Sequence, residues 1–236
     1  MRAGILQPGY LPWLGFFEQV ARSDSFVLYD DVQYDKHGWR NRNRIKTANG
    51  VQWLTVPVLT TGKDKPLIRD VEIDNIYNWR RKHLTAIQAN YAKAEFFSDV
   101  FGFFDSIYRK EWKLLVDLDI ALILGILDML GLPTSLRLSS ELNIVGDRVS
   151  RLISICKVLG ADVFYEGKSG ENYIDEETFL AAGIRVEYQN YLHPAYKQLY
   201  GGFVPYLSIV DLLFNEGPRS LDILMNGGKK SWEAEA

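Results

Sequence analysis

The stretch from Arg2 to Leu28 constrains the fold more than any other part of the chain. Arg2 to Gln7 is a short, mostly apolar run stopped by Pro8 and Gly9, and Ser25 to Leu28 is a second one, so two buried strands flank the segment Leu11 to Arg22. That segment is helical by pattern: Leu14, Phe17 and Val20 or Ala21 recur at three- and four-residue spacing, with Glu18 and Arg22 on the opposite side. Strand, turn, helix and strand in so short a space make a βαβ unit, which normally crosses over right-handed to build a parallel sheet. The Leu11 end of the helix then sits at the carboxyl edge of the first strand, where open α/β sheets bind ligands.

The rest of the chain extends this pattern. Asn49-Gly50, between Asn43 to Lys46 and Val51 to Val58, signals a hairpin, which is expected to join the sheet. Asn78 to Ala89, Phe96 to Tyr108 and Glu111 to Leu130 read as helices, the last stopped by Gly131 and Pro133. Beyond them, strand-like Ser135 to Leu138, the amphipathic helix Arg148 to Leu159 ended by Gly160, strand-like Val163 to Glu166, Glu176 to Ala182 and strand-like Ile184 to Tyr188 alternate again. The expected fold class is α/β: a mostly parallel sheet flanked by helices, Rossmann-like, with a helical insertion at about residues 76–132. No repeat or long linker divides the chain, so residues 1–226 read as one domain and 227–236 as a flexible tail.

Composition narrows the function classes. With 236 residues, 47% of them hydrophobic, the chain can bury a core, which excludes wholesale disorder. A net charge of -3 argues against a globally basic nucleic-acid binder. The single Cys156 forms no internal disulfide, and neither His83 nor His193 makes a metal-ligand spacing, so no metal is expected and a reduced cytoplasm fits best. Met1 to Pro12 lacks a signal core, and Ile120 to Leu132, interrupted by Asp128, is shorter than the roughly 20 residues of a spanning helix. A membrane span is therefore not expected.

Several segments carry candidate chemistry. Gln7 to Gly15 holds two prolines, Gly9, Tyr10 and Trp13, a stiff turn able to aim side chains into a pocket or to pack them in the core. Asp30 and Asp31 follow the second strand with Gln33 close behind; strand alternation lets only one of the pair enter a given site. Between Asp35 and Lys63 there is no acidic residue, and a strand would align Arg40, Arg42 and Arg44 on one face with Asn41 and Asn43 on the other. That arrangement suits an anion clamp whose Asn face bonds sugar hydroxyls, or a solvated basic hairpin, or a base stacked on Trp39. His83 shares a helix face with Trp79, and His193 sits in Tyr191 to Gln198 beyond the last strand-like run. Ser139-Ser140-Glu141 and Glu166 to Tyr173 are further loops at strand carboxyl ends; Gly167 and Gly170 permit close approach of backbone amides to an anion, without a Walker pattern.

Taken in order, Gln7-Pro8-x-Tyr10-x-Pro12-Trp13-x-Gly15, Asp30-Asp31-Val32-Gln33-Tyr34, Trp39-x-Asn41-Arg42, Ser140-Glu141, Tyr173, His193-Pro194-x-Tyr196-x-Gln198 and Ser208-x-x-Asp211 closely resemble the WbqC-like protein family over nearly the whole chain. The resemblance implies a bacterial cytoplasmic protein encoded among genes for O-antigen, lipopolysaccharide and related surface polysaccharides, with a role in glycyl transfer. A remote similarity links Ile5 to Tyr34 with the HIGH-motif nucleotidylyltransferase-like proteins. There Trp13-Leu14-Gly15-Phe16 stands in place of the motif, keeping the glycine but neither histidine, which counts against adenylyl transfer while leaving the fold analogy.

The expected function is transfer of an aminoacyl group, glycyl foremost, to an amino or hydroxyl group of a nucleotide-activated or lipid-linked sugar. The expected base is His193 or one of Asp30 and Asp31. The candidate substrate-binding set is Gln7, Tyr10, Trp13, Gln33, Trp39, Arg40, Asn41, Arg42, His83, Ser140, Glu141, Tyr173, Tyr196 and Gln198. The cofactor stays open: ATP enters if the acyl group is adenylated in place, and a carrier delivers an activated amino acid otherwise. The alternative is a non-catalytic sugar-nucleotide or RNA binding module that assists another polysaccharide enzyme.

Overall fold

The computed structural model describes residues 1–60, 62, 64–133 and 135–226; the expected tail at 227–236 lies outside the described residues. In chain order the elements are β1 (Arg2–Leu6), α1 (Leu14–Ala21), β2 (Ser25–Leu28), β3 (Arg42–Thr47), β4 (Gly50–Thr55), β5 (Val58–Leu59), β6 (Glu72–Ile73), α2 (Trp79–Tyr91), α3 (Phe97–Arg109), α4 (Leu115–Met129), β7 (Leu136–Leu138), α5 (Arg148–Leu159), β8 (Val163–Glu166), α6 (Glu176–Ala181), β9 (Arg185–Tyr188), α7 (Ile209–Glu216) and α8 (Ser220–Met225).

Five strands form a wholly parallel sheet in the order β7-β2-β1-β8-β9. The register sets Ala3 opposite Ser25 and Phe164. Alternation along the strands then divides the core. Ala3, Ile5, Val27 and Phe164 pack with Leu152, Ile155 and Cys156 of α5 and Phe179 of α6 on one face. Phe26 and Leu28 pack with Leu14, Phe17 and Val20 of α1 on the other face, continuous with the apolar sides of α2, α3, α4 and α7. Helices thus cover both faces, the condition under which parallel strands read as unbroken apolar runs.

Three boundaries differ from the sequence reading, each for a local reason. The helix expected from Leu11 begins at Leu14, because the residue before a proline is kept out of the right-handed helical region, and Leu11 takes φ 47° instead. The helix expected from Glu111 begins at Leu115, because its approach is extended: Ile73 N–H donates to the Lys113 carbonyl at 2.8 Å and Leu115 N–H to Val71 at 2.9 Å. The hairpin at Asn49-Gly50 forms as expected, but β3 and β4 pair only with each other and do not extend the main sheet. Its buried Ile45 and Leu54 pack instead into the helical side of the core, and the Arg44 carbonyl accepts from Ser208 N–H at 2.9 Å, so the ribbon is held by side chains and a backbone bond outside the main ladder. By contrast α5 falls where expected, capped by Asp147, which accepts from Ser150 N–H at 2.9 Å, and closed by Gly160 at φ 72°. Among the described residues no helix is long and apolar enough to cross a membrane.

Candidate functional site

From β1 the chain passes through α1 to β2 on one side, and later returns through α5 to β8 on the other. The carboxyl ends of β1 and β8 are therefore adjacent strand ends from which connections depart in opposite directions, the position where open α/β sheets bind ligands. Three cavity lobes converge there on Leu6. One, of about 800 Å³, is lined by charged side chains. The second, of about 380 Å³, carries the aromatic residues Trp13, Phe16, Trp39 and Tyr206 and is called the aromatic lobe. The third, of about 370 Å³, runs beside Gln189 to Leu192. Gln7 and Arg40 stand between the charged and aromatic lobes, Glu166 between the charged and third lobes, and Trp13 between the aromatic and third lobes.

The charged lobe takes residues from four elements or their ends. Gln7 follows β1; Asp31 and Gln33 follow β2; Arg148 and Arg151 occupy the first turn of α5; Tyr173 closes the turn after β8. Arg151 Nη2 pairs with Asp31 Oδ2 at 2.5 Å, which fixes the guanidinium at the lobe wall. Arg148 lies over the Tyr173 ring, 3.4 Å from its centroid. Arg40 donates from Nη1 to the carbonyls of Gln7 and Pro8, both at 2.9 Å, so it is tied to the end of β1. Burial lowers its pKa, opposed by the charge of Asp119, a fully buried α4 carboxylate with no hydrogen-bond partner among the described residues. Three guanidinium groups thus border one cavity, and a guanidinium fork matches the geometry of phosphate or carboxylate oxygens.

Glu166, 4% exposed, ends β8 at the junction of two lobes. Burial pushes its carboxyl up to about 7, against opposing contributions from the Gly167 N–H, the Tyr173 hydroxyl and the charge of Arg148. Gly170 leans on it: a Cβ there would lie 2.4 Å from Glu166 Cγ.

In the aromatic lobe Trp13 meets Tyr206 with ring centroids 5.9 Å apart, and Trp39 and Arg44 form the ribbon side. Gly15 lets the Trp13 ring fold back over α1, for a Cβ at that position would lie 2.2 Å from the indole. The three arginines do not share one face, as the sequence reading had it, because Arg40 precedes β3 and turns to β1. Arg42 and Arg44 lie on the ribbon over Trp53, at 5.2 and 5.6 Å, and Arg42 also donates to the Gly38 and His37 carbonyls. The asparagine side chains are engaged internally: Asn41 Nδ2 donates to Val56 O at 2.8 Å and Asn43 Nδ2 to Leu11 O at 2.6 Å.

Other candidates lie apart from the three lobes. Asp30 accepts from the Ser139 hydroxyl at 3.0 Å, the Ser140 N–H at 3.0 Å and the Ser140 hydroxyl at 2.7 Å, clamping the ends of β2 and β7 together, and the Ser139 hydroxyl also lies 2.5 Å from Asp31 Oδ1, so the two carboxylates share one serine. Glu141 beyond them is exposed. Tyr10 is fully buried and its hydroxyl meets His83 Nδ1 at 2.8 Å and the Tyr108 hydroxyl. Burial drops the His83 pKa to about 4. Gln198 exchanges hydrogen bonds with the backbone of Val204, at 3.0 and 2.9 Å, and Tyr196 lies against His193 and Phe203. His193 sits behind Tyr206, ring centroids 5.1 Å apart, with Nδ1 2.9 Å from the Pro194 carbonyl and Nε2 without a hydrogen-bond partner among the described residues. Its pKa is lowered by burial.

Sequence reasoning named Glu166 only as the start of a candidate loop and left out Arg148 and Arg151. A signal for Glu166 was present, a carboxylate ending a strand-like run, and Arg148 and Arg151 open the helix that returns to that strand. Only the strand order brings them beside Gln7. Among the described residues no group of three His, Cys, Asp or Glu side chains is placed to hold a metal ion.

A family model described as the WbqC-like protein family matches residues 7–223. The chain is 39% identical over 225 residues to the uncharacterized protein Rv1507c of Mycobacterium tuberculosis, which covers 94% of this chain and 97% of that protein. No solved structure matches.

Proposed function

Because the chain belongs to the WbqC-like protein family, we propose that it serves surface-polysaccharide synthesis by binding a nucleotide-activated sugar at the carboxyl ends of β1 and β8 and transferring to it an aminoacyl group, glycyl foremost. The observation that carries this reading is the charged lobe: Arg40, Arg148 and Arg151 surround a cavity at the strand ends where the connections diverge, the setting in which Rossmann-like sheets hold nucleotides. Its volume of about 800 Å³ suits a ligand of nucleotide-sugar size. The diphosphate lies against the arginines, and Gln7 and Gln33 supply amide groups for the sugar or nucleoside hydroxyls.

The sugar then extends past Glu166 toward the third lobe, where Trp13, Phe16 and Tyr191 limit water, the competing acceptor of an activated acyl group. The acyl donor is an activated amino acid, as a carrier ester or thioester or as an acyl-adenylate. In this reading Asp31 holds Arg151, Asp30 fixes the strand ends, and His193 supports Tyr206 from behind.

The test is incubation of the purified protein with UDP- and dTDP-linked amino sugars, glycine and ATP, or a preformed glycyl thioester. Mass spectrometry is expected to show a glycyl mass gain on the sugar. In calorimetry Arg151→Ala should weaken sugar-nucleotide binding by about 1.5–3 kcal/mol, the range for hydrogen bonds to charged groups. Unchanged affinity rejects the charged lobe as the anion site.

One observation favours a second reading, a non-catalytic binding module. Trp39 and Trp53 are 45% and 47% exposed and interleave with Arg42 and Arg44 on the ribbon, a surface on which bases or sugar rings can stack. Steep salt dependence of single-stranded RNA binding, with no turnover, would support it.

A further inference from the structure

We propose that Glu166 is the proton acceptor for attack by the sugar amine, held in place by Gly170 and Tyr173; this rests on the transfer reading above and names the group that carries it out. Glu166 lines both the charged lobe and the third lobe, so a substrate amine and an acyl donor approaching from the two sides meet at its carboxylate. Asp31 is paired with Arg151 and so is not free to accept a proton. Asp30 is enclosed by the serines. Glu166 is thus the carboxylate that borders two lobes without a salt-bridge partner among the described residues.

Its surroundings fit the task. The groups facing it are Arg148 and Cys156 from α5, Tyr173 from the following turn and Tyr188 from β9, with Lys168 on the rim of the third lobe. Among these, burial dominates and raises the carboxyl to about 7, so near neutral pH it is present both as acceptor and as acid. Gly170 determines where the side chain lies, because any larger residue would press on Cγ.

The step balances as follows. The sugar nitrogen forms a bond to the acyl carbonyl carbon, and the bond from that carbon to the leaving group, a thiolate, alkoxide or adenylate phosphate, breaks. The nitrogen gives up one proton to the Glu166 carboxylate, which passes it to the leaving group or to water. Glu166 is thereby regenerated and no oxidant or reductant is needed.

The experiment compares the full-length wild type, Glu166→Gln and Gly170→Ala with a UDP-linked amino sugar and a glycyl thioester. Glu166→Gln keeps the size of the side chain, so sugar-nucleotide binding by calorimetry is expected to stay within about threefold, while turnover falls by about 10²–10⁴, the usual contribution of a positioned base. The wild-type rate should rise with pH through a limb near 7 that vanishes in Glu166→Gln. Gly170→Ala, with the carboxylate retained but displaced, should lose turnover per folded molecule, beyond any loss of thermal stability from its crowded Cβ. No product from the wild type overturns the transfer reading. Product from Glu166→Gln at the wild-type rate, or a pH limb that persists in it, overturns only the role of Glu166.

Discussion

Two arginines that look equivalent in the sequence differ in their surroundings, and their variants should differ accordingly. Arg151 is pinned at the charged lobe by Asp31, whereas Arg42 spends its guanidinium on the His37 and Gly38 carbonyls and the Trp53 face. Arg42→Ala is therefore expected to leave sugar-nucleotide affinity within about twofold while Arg151→Ala weakens it about tenfold or more, by calorimetry. Equal losses would move the anion site to the ribbon. Beneath the site, Tyr10→Phe removes a hydroxyl shared by His83 and Tyr108 and leaves both buried groups short of a partner. It should lower stability by about 1–3 kcal/mol in urea unfolding without touching the lobes. Strand alternation predicts only one of Asp30 and Asp31 in a given site, yet both reach the Ser139 hydroxyl; the engagement of the asparagines was not legible, because their partners, Val56 and Leu11, are backbone carbonyls.

Elements that alternate with the period of buried strand and amphipathic helix were readable, and those shaped by pairing with distant backbone were not. α5 carries its own cap and stop, so Arg148 to Leu159 needed no tertiary information. The start of α4 did, since Val71 to Ile73 holds residues 113–115 extended. At the start of α1 the decisive residue is Gly15. An alanine there would favour the helix by roughly 1 kcal/mol on propensity alone, yet its Cβ would meet the Trp13 ring at 2.2 Å. Gly15→Ala should thus swing Trp13 outward and disturb the aromatic and third lobes together. Thermal melting is expected to show a folded protein, with Trp fluorescence shifted to the red and ligand affinity reduced. An unchanged fluorescence maximum would show that the ring does not need the glycine.

At the scale of the whole molecule, burial sets how stability responds to pH. Glu166, Asp119 and Asp211 are all buried carboxyls whose pKa values burial pushes up. A folded-state pKa above the unfolded one means that the native protein holds more protons in the interval between, so stability falls as pH rises through it. For Glu166 the interval runs from the ordinary value of 4.5 to about 7. Glu166→Gln should therefore melt at a higher temperature than wild type at pH 8 and show little of that gain at pH 4.5. A difference independent of pH would place the carboxyl in contact with water. The sheet as a whole was legible as parallel α/β, but its strand order was not: periodicity shows that a strand is buried and is silent on which neighbour it pairs with.

That order has a consequence for how the chain is made. β1 leaves the ribosome first, yet one of its two ladder neighbours, β8, spans Val163–Glu166, and β8 in turn pairs with β9 at Arg185–Tyr188. Until those residues emerge, β1 presents an open edge of unpaired amides, a template for any other extended chain. The nascent chain stays in that state until Val163 to Tyr188 are made, with long-range pairings as the last to close.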